Sequence, residues 1–454
     1  MTKIQSINPY TKETNAEFEL LTQEQIIEKI ENAENAFNSW KNTSSEEKKK
    51  LFIRLSDLLL EKKEELAKLD VMEMWMTYKN AIADVSKSAS WIMWFVDNFE
   101  RFLEDKEFND WWIEWKIVYE PLGVLYSVAP WNFPYNQVFR NAIPNIISGN
   151  TVLNKHASNV PTVAQKIEDL FLEAGFPEWV FNNLFISPRD SELIINHEAI
   201  RWTNITGWDF AWRAIWKLAW EKLIPSILEL WWNDPFLVLE NNDLDRIIND
   251  AVSARLWNCW QKCNSAKRFI VLEKYYDEFC DKFSWKMNEV KFWDPMDENN
   301  VYWPLAKRSL VYEIEWQIDK SIKKGAVLLT WWKSISKDSN LFPPTVLKDV
   351  IPWMEVFDEE VFWPVAPIIK ARDINQAIEL ANKSKFWLWC SLYWDNITDL
   401  KNISWKIEVW NVFINKIVTS YPFLPYGWIK DSWYGKELWE RWIKNFVNEK
   451  VIVY

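Results

Sequence analysis

The chain has 454 residues, 49% of them hydrophobic and 26% charged, with a formal net charge of −12. That length buries a sizeable core and predicts two or more domains, and the acidic balance argues against nucleic acid as a partner. No run approaches eighteen uncharged apolar residues, Met1–Ser6 lacks an apolar leader segment, and four cysteines are too few for a disulfide framework, so a soluble cytoplasmic protein is the simplest expectation.

Residues 22–105 read as three helices. Ile26, Ile30, Ala33, Phe37 and Trp40 keep helical spacing behind a Thr22-x-x-Gln25 capping box. Ser44-x-x-Glu47 opens a second helix through Leu51, Leu55 and Leu58, and a third covers about 79–104. Ile117–Tyr119 and Val124–Val128 then read as strands. Helix and strand patterns alternate from 161 to about 230: Pro161 begins a helix that ends near Ala174-Gly175, and another runs from Asp209 to Leu223. This is the rhythm of a doubly wound α/β sheet. A second α/β block spans about 231–425, with a helix over 241–257 and strands at Val327–Leu329 and Ala366–Ile369. The tail, Phe446–Tyr454, reads as a short strand expected to pair outside its own domain.

Tryptophan and glycine are inverted in number, with 35 Trp and 7 Gly. Average glycine usage of about 7% would place roughly 32 in a chain this long. Trp stands in turn contexts: Trp231-Trp232 run into Asn-Asp-Pro, Trp293 precedes Asp-Pro, Trp353 follows Pro352, and Trp331-Trp332 follow a β-like run. Glycine is wanted there because it adopts φ > 0 at no steric cost. The sequence therefore predicts that most of these residues are glycines, encoded by UGA in a code that assigns UGA to Gly. Trp40, Trp91 and Trp131 are expected to be true tryptophans. Trp212, Trp216 and Trp220 fall at i, i+4 and i+8. Taken literally they form an aromatic core stripe; taken as glycines they make a smooth face for helix–sheet packing.

With Gly at 260, the segment Asn258-Cys259-Trp260-Gln261-Lys262-Cys263 becomes N-C-G-Q-K-C. Leu228-Glu229-Leu230-Trp231-Trp232-Asn233-Asp234 becomes L-E-L-G-G-N-D. Together with Pro130-Trp131-Asn132-Phe133-Pro134, these resemble the three signatures of the aldehyde dehydrogenase superfamily. Lys155-His156-Ala157-Ser158, Glu360-Val361-Phe362-Trp363-Pro364 and Leu424-Pro425-Tyr426-Gly427-Trp428 follow in family order, so the resemblance covers nearly the whole chain. It implies an α/β aldehyde dehydrogenase fold. Residues 1–104 and 122–230 would form a Rossmann-like dinucleotide-binding domain, 231–425 a catalytic domain, and 105–121 with 436–454 a β oligomerisation arm. A homodimer or homotetramer is expected, since exposed strand edges favour pairing.

Oxidising an aldehyde to an acid needs a nucleophile that makes a tetrahedral adduct and then leaves as a thioester, which a thiolate does well. The family pattern selects Cys263 for this role over Cys259, which reads as a small core residue or a redox partner; Cys280 and Cys390 read as structural. The resemblance implies that the Asn132 amide and the Cys263 backbone N–H hold the oxyanion, and that Glu229 is the general base for thioester hydrolysis. It implies a nicotinamide dinucleotide contacted by Trp131, Lys155, Ser158, Thr206, Gly207, Trp208, Leu230, Glu360 and Phe362. Many NAD-using relatives carry Glu where this chain has Ser158, which predicts NADP as the cofactor with NAD possible.

The segments Thr419–Lys430 and Ser432–Leu438 are similar to the short bacterial NADP-linked succinate-semialdehyde dehydrogenases. Arg140 matches an arginine that binds the substrate's distal carboxylate there, and Ser420 a hydroxyl that helps. Position 257 is Trp where some relatives have a second arginine. Other readings remain: another ω-carboxy aldehyde such as glutarate semialdehyde, a broad specificity, or a non-catalytic Trp-rich binding protein. No metal site is expected, because His156 and His197 lack ligand spacing and both suit the surface.

Overall fold

A computed structural model describes residues 2–207, 209–229, 232–240, 243–256, 261–291, 295–297, 304–305, 308–330, 334, 340–362, 364–387, 389–427, 429–430, 433–435 and 437–454. Four helices rather than three occupy the N-terminal region: Gln23–Trp40, Ser45–Glu61, Lys63–Met74 and Tyr78–Phe102. Thr22 and Gln25 form the expected reciprocal capping box, and the Ser44 side chain accepts from the Glu47 N–H. The additional helix, Lys63–Met74, buries Asp70 and Glu73 beside Leu66, Val71 and Met74. Polar and apolar residues share its inner face, which erases the periodicity that marks its neighbours.

Six strands form one sheet in the order Trp433–Tyr434, Ser226–Glu229, Ile200–Thr206, Val124–Val128, Thr151–Lys155, Phe181–Asn183. All are parallel except the first. The three strands from 124 to 183 build outward in one direction, and the strands at 200 and 226 build in the other. The order therefore reverses between Val124–Val128 and Ile200–Thr206, a switch point that leaves a crevice beyond the carboxyl ends of the strands. A seven-stranded sheet lies in the second half, in the order Val327–Leu328, Thr345–Lys348, Val365–Ala371, Arg268–Leu272, Pro235–Glu240, Trp389–Trp394, Asn411–Ile414. Only its Val327–Leu328 edge is antiparallel.

The C-terminal strand Val447–Val453 does pair far from its own neighbours in sequence. It lies antiparallel to Ile113–Pro121, with Val447 opposite Pro121 and Val453 opposite Trp115, and Lys106–Asp110 completes a three-stranded sheet. Helix Asp209–Glu221 packs inward through Ile215, Ala211, Trp212 and Leu218. Trp216 and Trp220 are exposed and stack on each other at 5.9 Å. Of the stripe only Trp212 thus reaches the core, while Trp216 and Trp220 face outward and the rest of the inward contact is made by Ala211, Ile215 and Leu218.

Candidate active site

The strand register assembles the site. Val128 lies opposite Lys155 on one side and Ile205 on the other, and Thr206 lies opposite Glu229. Four parallel strands therefore end at one level, and the chain leaves them through Ala129–Phe133, His156–Ser158 and Gly207. Helix Pro134–Ile147 starts here with Pro at its first turn and no side-chain cap of its own. Asp84, from helix Tyr78–Phe102, supplies the cap: its Oδ2 accepts from the Tyr135 N–H at 3.1 Å and the Asn136 N–H at 3.3 Å. His156 Nε2 meets the Pro134 carbonyl at 3.0 Å, and burial lowers its pKa to about 4, so the ring is neutral. The surface position expected for His156 is thus corrected: it is a buried strut that ties a strand end to the Trp131–Pro134 turn.

A cavity of about 250 Å³ opens at the switch point. Trp131, Asn132, Lys155, Ser158, Thr206, Gly207, Glu229, Cys263, Glu360 and Phe362 all line it. Residues far apart in the chain, each marked by its own motif, thus converge on one crevice. Trp208 and Leu230 lie outside the described residues, as do Trp231, Trp257, Cys259 and Trp260.

Cys263 sits in the loop that leads into strand Arg268–Leu272, its half-buried thiol 3.8 Å from the Tyr426 hydroxyl. Two buried arginines pin that loop. Arg255 donates to the carbonyls of Ala266 at 2.8 Å and Val361 at 3.0 Å, and Arg268 to those of Asn233, Leu380 and Ala381. The Asn132 amide donates to the Gln261 carbonyl at 2.8 Å, two residues before the thiol. That bond sets the amide, which carries two N–H donors, against the loop where an oxyanion would form. Desolvation and the Glu229 charge push the thiol up to about 12, against Arg140 and Lys267, which lower it.

Glu229 is buried, and its Oε2 accepts from the Thr206 hydroxyl at 3.3 Å. Burial raises its pKa, with Arg140, the Cys263 thiol, Thr206 and Lys267 pulling the other way. A carboxyl shifted toward neutrality beside a thiol suits proton transfer near neutral pH. Thr206 therefore spends its hydroxyl on Glu229, whereas the resemblance places it among the cofactor contacts.

Arg140 and Ser420 do not line the cavity. The Arg140 guanidinium is buried in an ion pair with Glu437, lies 3.8 Å from Glu229, and stacks over Tyr426 at 4.4 Å. Burial opposes its charge, but the two carboxylates outweigh that and hold it cationic. Ser420 accepts from the Asn264 amide at 3.1 Å. Sequence reasoning misses Glu437, Tyr426, Lys267 and Lys87. Glu437 and Tyr426 stand inside family-like segments but draw no role there, because neither is marked until Arg140 is placed against it. Lys87 stacks over Trp91 at 5.1 Å and shares that indole with Arg140 at 6.0 Å.

A model of the aldehyde dehydrogenase family matches residues 1–452. The chain belongs to the aldehyde dehydrogenase family. It is 34% identical over 447 residues to a succinate-semialdehyde dehydrogenase [NADP(+)] of Deinococcus radiodurans, covering 98% of this chain and 94% of that one. It is 35% identical over 452 residues to the enzyme of the same name from Mycobacterium leprae, covering 99% of each. Among solved structures it is similar to succinic semialdehyde dehydrogenase from Streptococcus pyogenes in complex with NADP+, at a TM-score of 0.96 and 31% identity over 99% of each chain. The enzyme has the fold expected from its motifs, and the Trp-rich binding-protein reading is overturned. Among the described residues no helix is long and apolar enough to cross a membrane.

Proposed function

We propose that the enzyme oxidises succinate semialdehyde to succinate with NADP. The observation that carries this is the convergence of Cys263, Glu229 and Asn132 with Lys155 and Ser158 on one cavity at the switch point. Cys263 adds to the aldehyde carbon to form a thiohemiacetal, Asn132 and the Cys263 N–H hold its oxygen, and Glu229 activates the water that hydrolyses the thioester. When bound, the oxidised nicotinamide supplies the hydride acceptor. Lys155 and Ser158 suit a 2′-phosphate because the cavity presents a cation and a hydroxyl at that strand end, and among the described residues that line it the carboxyl groups are Glu229 and Glu360. The relatives at 34 and 35% identity are named for the same substrate and cofactor. A panel of aldehydes with NADP and NAD tests the reading, and absence of turnover with any aldehyde overturns it.

Ser158→Glu places a carboxylate against the 2′-phosphate. The expected result is a fall of roughly tenfold or more in kcat/KM with NADP and little change with NAD; an unchanged NADP/NAD ratio refutes the assignment.

Arg140 is the proposed anchor for the distal carboxylate, which would share the guanidinium with Glu437. Removing Arg140 alone leaves a buried charge behind, so the informative variant is Arg140→Gln with Glu437→Gln. It is expected to lose about 10- to 100-fold in kcat/KM for succinate semialdehyde, the worth of a charge-assisted pair, and much less for a neutral aldehyde. Equal losses on both favour the second reading, a broad or different specificity, which the Arg140–Glu437 pair already lends some support.

We further propose that the arm formed by Lys106–Pro121 and Val447–Val453 joins subunits into a dimer or tetramer, because it carries exposed Val451, Val453 and Tyr454 on an open edge. The same proposal extends to the glycine reading of most Trp positions. Trp75, Trp179, Trp353 and Trp439 all have positive φ, and Trp75 ends helix Lys63–Met74 in the left-handed conformation. Trp40, expected to be genuine, is buried and donates its indole N–H to the Ile146 carbonyl at 2.8 Å.

A further inference from the structure

Lys267 is a fully buried lysine placed between two parts of the site that no covalent path joins closely. Its side chain is 0% exposed. Its ammonium donates to the carbonyl oxygen of Cys263 and pairs with Glu360 Oε1 at 2.5 Å, with the Phe362 ring 5.7 Å away. Its backbone is fixed as well, since the Lys267 and Arg268 N–H groups both donate to the Asp234 carbonyl, at 2.9 and 3.2 Å. A lysine buried this deeply is costly unless paired and hydrogen-bonded. Here both partners belong to residues that line the cavity: one is the backbone carbonyl of Cys263, the other the Glu360 carboxylate.

We propose that Lys267 is a positioning residue that couples Glu360 to Cys263, holding the nucleophile loop in place and stabilising the thiolate when it forms. The proposal rests on the reading of Cys263 as nucleophile and Glu360 as a cofactor contact. A fixed cation near the thiol favours its charged form. Facing the thiol are also Glu229, Arg140 and Tyr426, with Lys87 and Lys262 close enough to act on it. Glu229 opposes ionisation. Arg140 is committed to Glu437, and Lys87 interacts with Asp84. Lys267 is the cation bonded to the nucleophile's own carbonyl. A ligand that hydrogen-bonds Glu360 draws on the same carboxylate that balances Lys267, so occupancy of the cofactor cavity would be felt at the thiol.

The test is the alkylation of Cys263 by iodoacetamide in the full-length chain, read by peptide mass spectrometry from pH 6 to 10, with and without NADP. Lys267→Met is expected to move the rate profile to higher pH by roughly one unit, about a tenfold slower reaction at pH 8, and to abolish the response to NADP. Lys267→Arg restores most of both. Glu360→Gln is expected to shift the profile the opposite way, because it frees the cation from its counter-charge. A Lys267→Met profile and NADP response equal to wild type overturn the proposal. Should that variant fail to fold, an unmoved profile in Glu360→Gln overturns it instead. The underlying reading fails separately, through turnover that survives Cys263→Ala.

Discussion

Cys263→Ala is expected to lose turnover by roughly 10⁴-fold or more with every aldehyde, because the covalent route through its thiol disappears. Its melting temperature should stay within about 2–4 °C of wild type, since a half-buried sulfur is a small loss of packing. Steady-state kinetics and a thermal melt on the same preparation separate the two effects. The pH dependence follows from the direction of the thiol's shift. Its pKa is raised to about 12 by burial and the Glu229 charge, so the protonated thiol dominates at neutral pH. The thiolate fraction then grows about tenfold per pH unit below that value. Alkylation of Cys263 in the cofactor-free enzyme should therefore keep accelerating through pH 8 and 9. A plateau near pH 7 would mean that the thiol is already ionised and that the Glu229 charge does not reach it.

A gene with UGA recoded as glycine is expected to yield a protein that unfolds cooperatively, while the chain with tryptophan at all 35 positions does not. Among the described residues four Trp have positive φ, at 75, 179, 353 and 439. A non-glycine residue held there costs of order 1–3 kcal/mol, so four of them consume about as much as the 5–15 kcal/mol that a native domain has in reserve. The hairpin between Lys106–Asp110 and Ile113–Pro121 points the same way. Asp110 pairs with Ile113, leaving a two-residue loop of Trp111 and Trp112, which are 94% and 93% exposed. Such loops strongly prefer Asn-Gly, Asp-Gly or Gly-Gly. Indoles there gain nothing by burial. Peptide mass spectrometry of the native protein should find glycine at 75, 111, 112 and 353 and tryptophan at 40, 91 and 131. Tryptophan at 231, 232 and 260 would falsify the recoding.

What the sequence makes legible varies with the range of the interaction. Helix starts are written locally: Thr22 with Gln25 and Ser44 with Glu47 cap within three residues, and both caps form. The helix Lys63–Met74 escapes a reading by periodicity because its buried face mixes Asp70 and Glu73 with apolar residues. Cys263, Glu229 and Asn132 are legible because the motifs around them resemble the family's signatures, and that resemblance implies the roles of nucleophile, base and oxyanion donor proposed for them. The meeting of these groups on one cavity follows from parallel strands ending at the same level.

Only the tertiary structure decides what surrounds those groups. His156 suits the surface by sequence, yet it is buried against Pro134. Arg140 is expected to bind the substrate's carboxylate with help from Ser420, yet it is held by Glu437 from the far end of the chain. Lys267 gives no sign in the sequence that its ammonium reaches both Cys263 and Glu360. The sequence by itself determined the family, through motifs that keep its signatures in order along the chain, and with the family the expected reaction class. The charges that tune those residues act through space over a few ångströms in a poorly screened interior, and such distances exist only once the chain has folded.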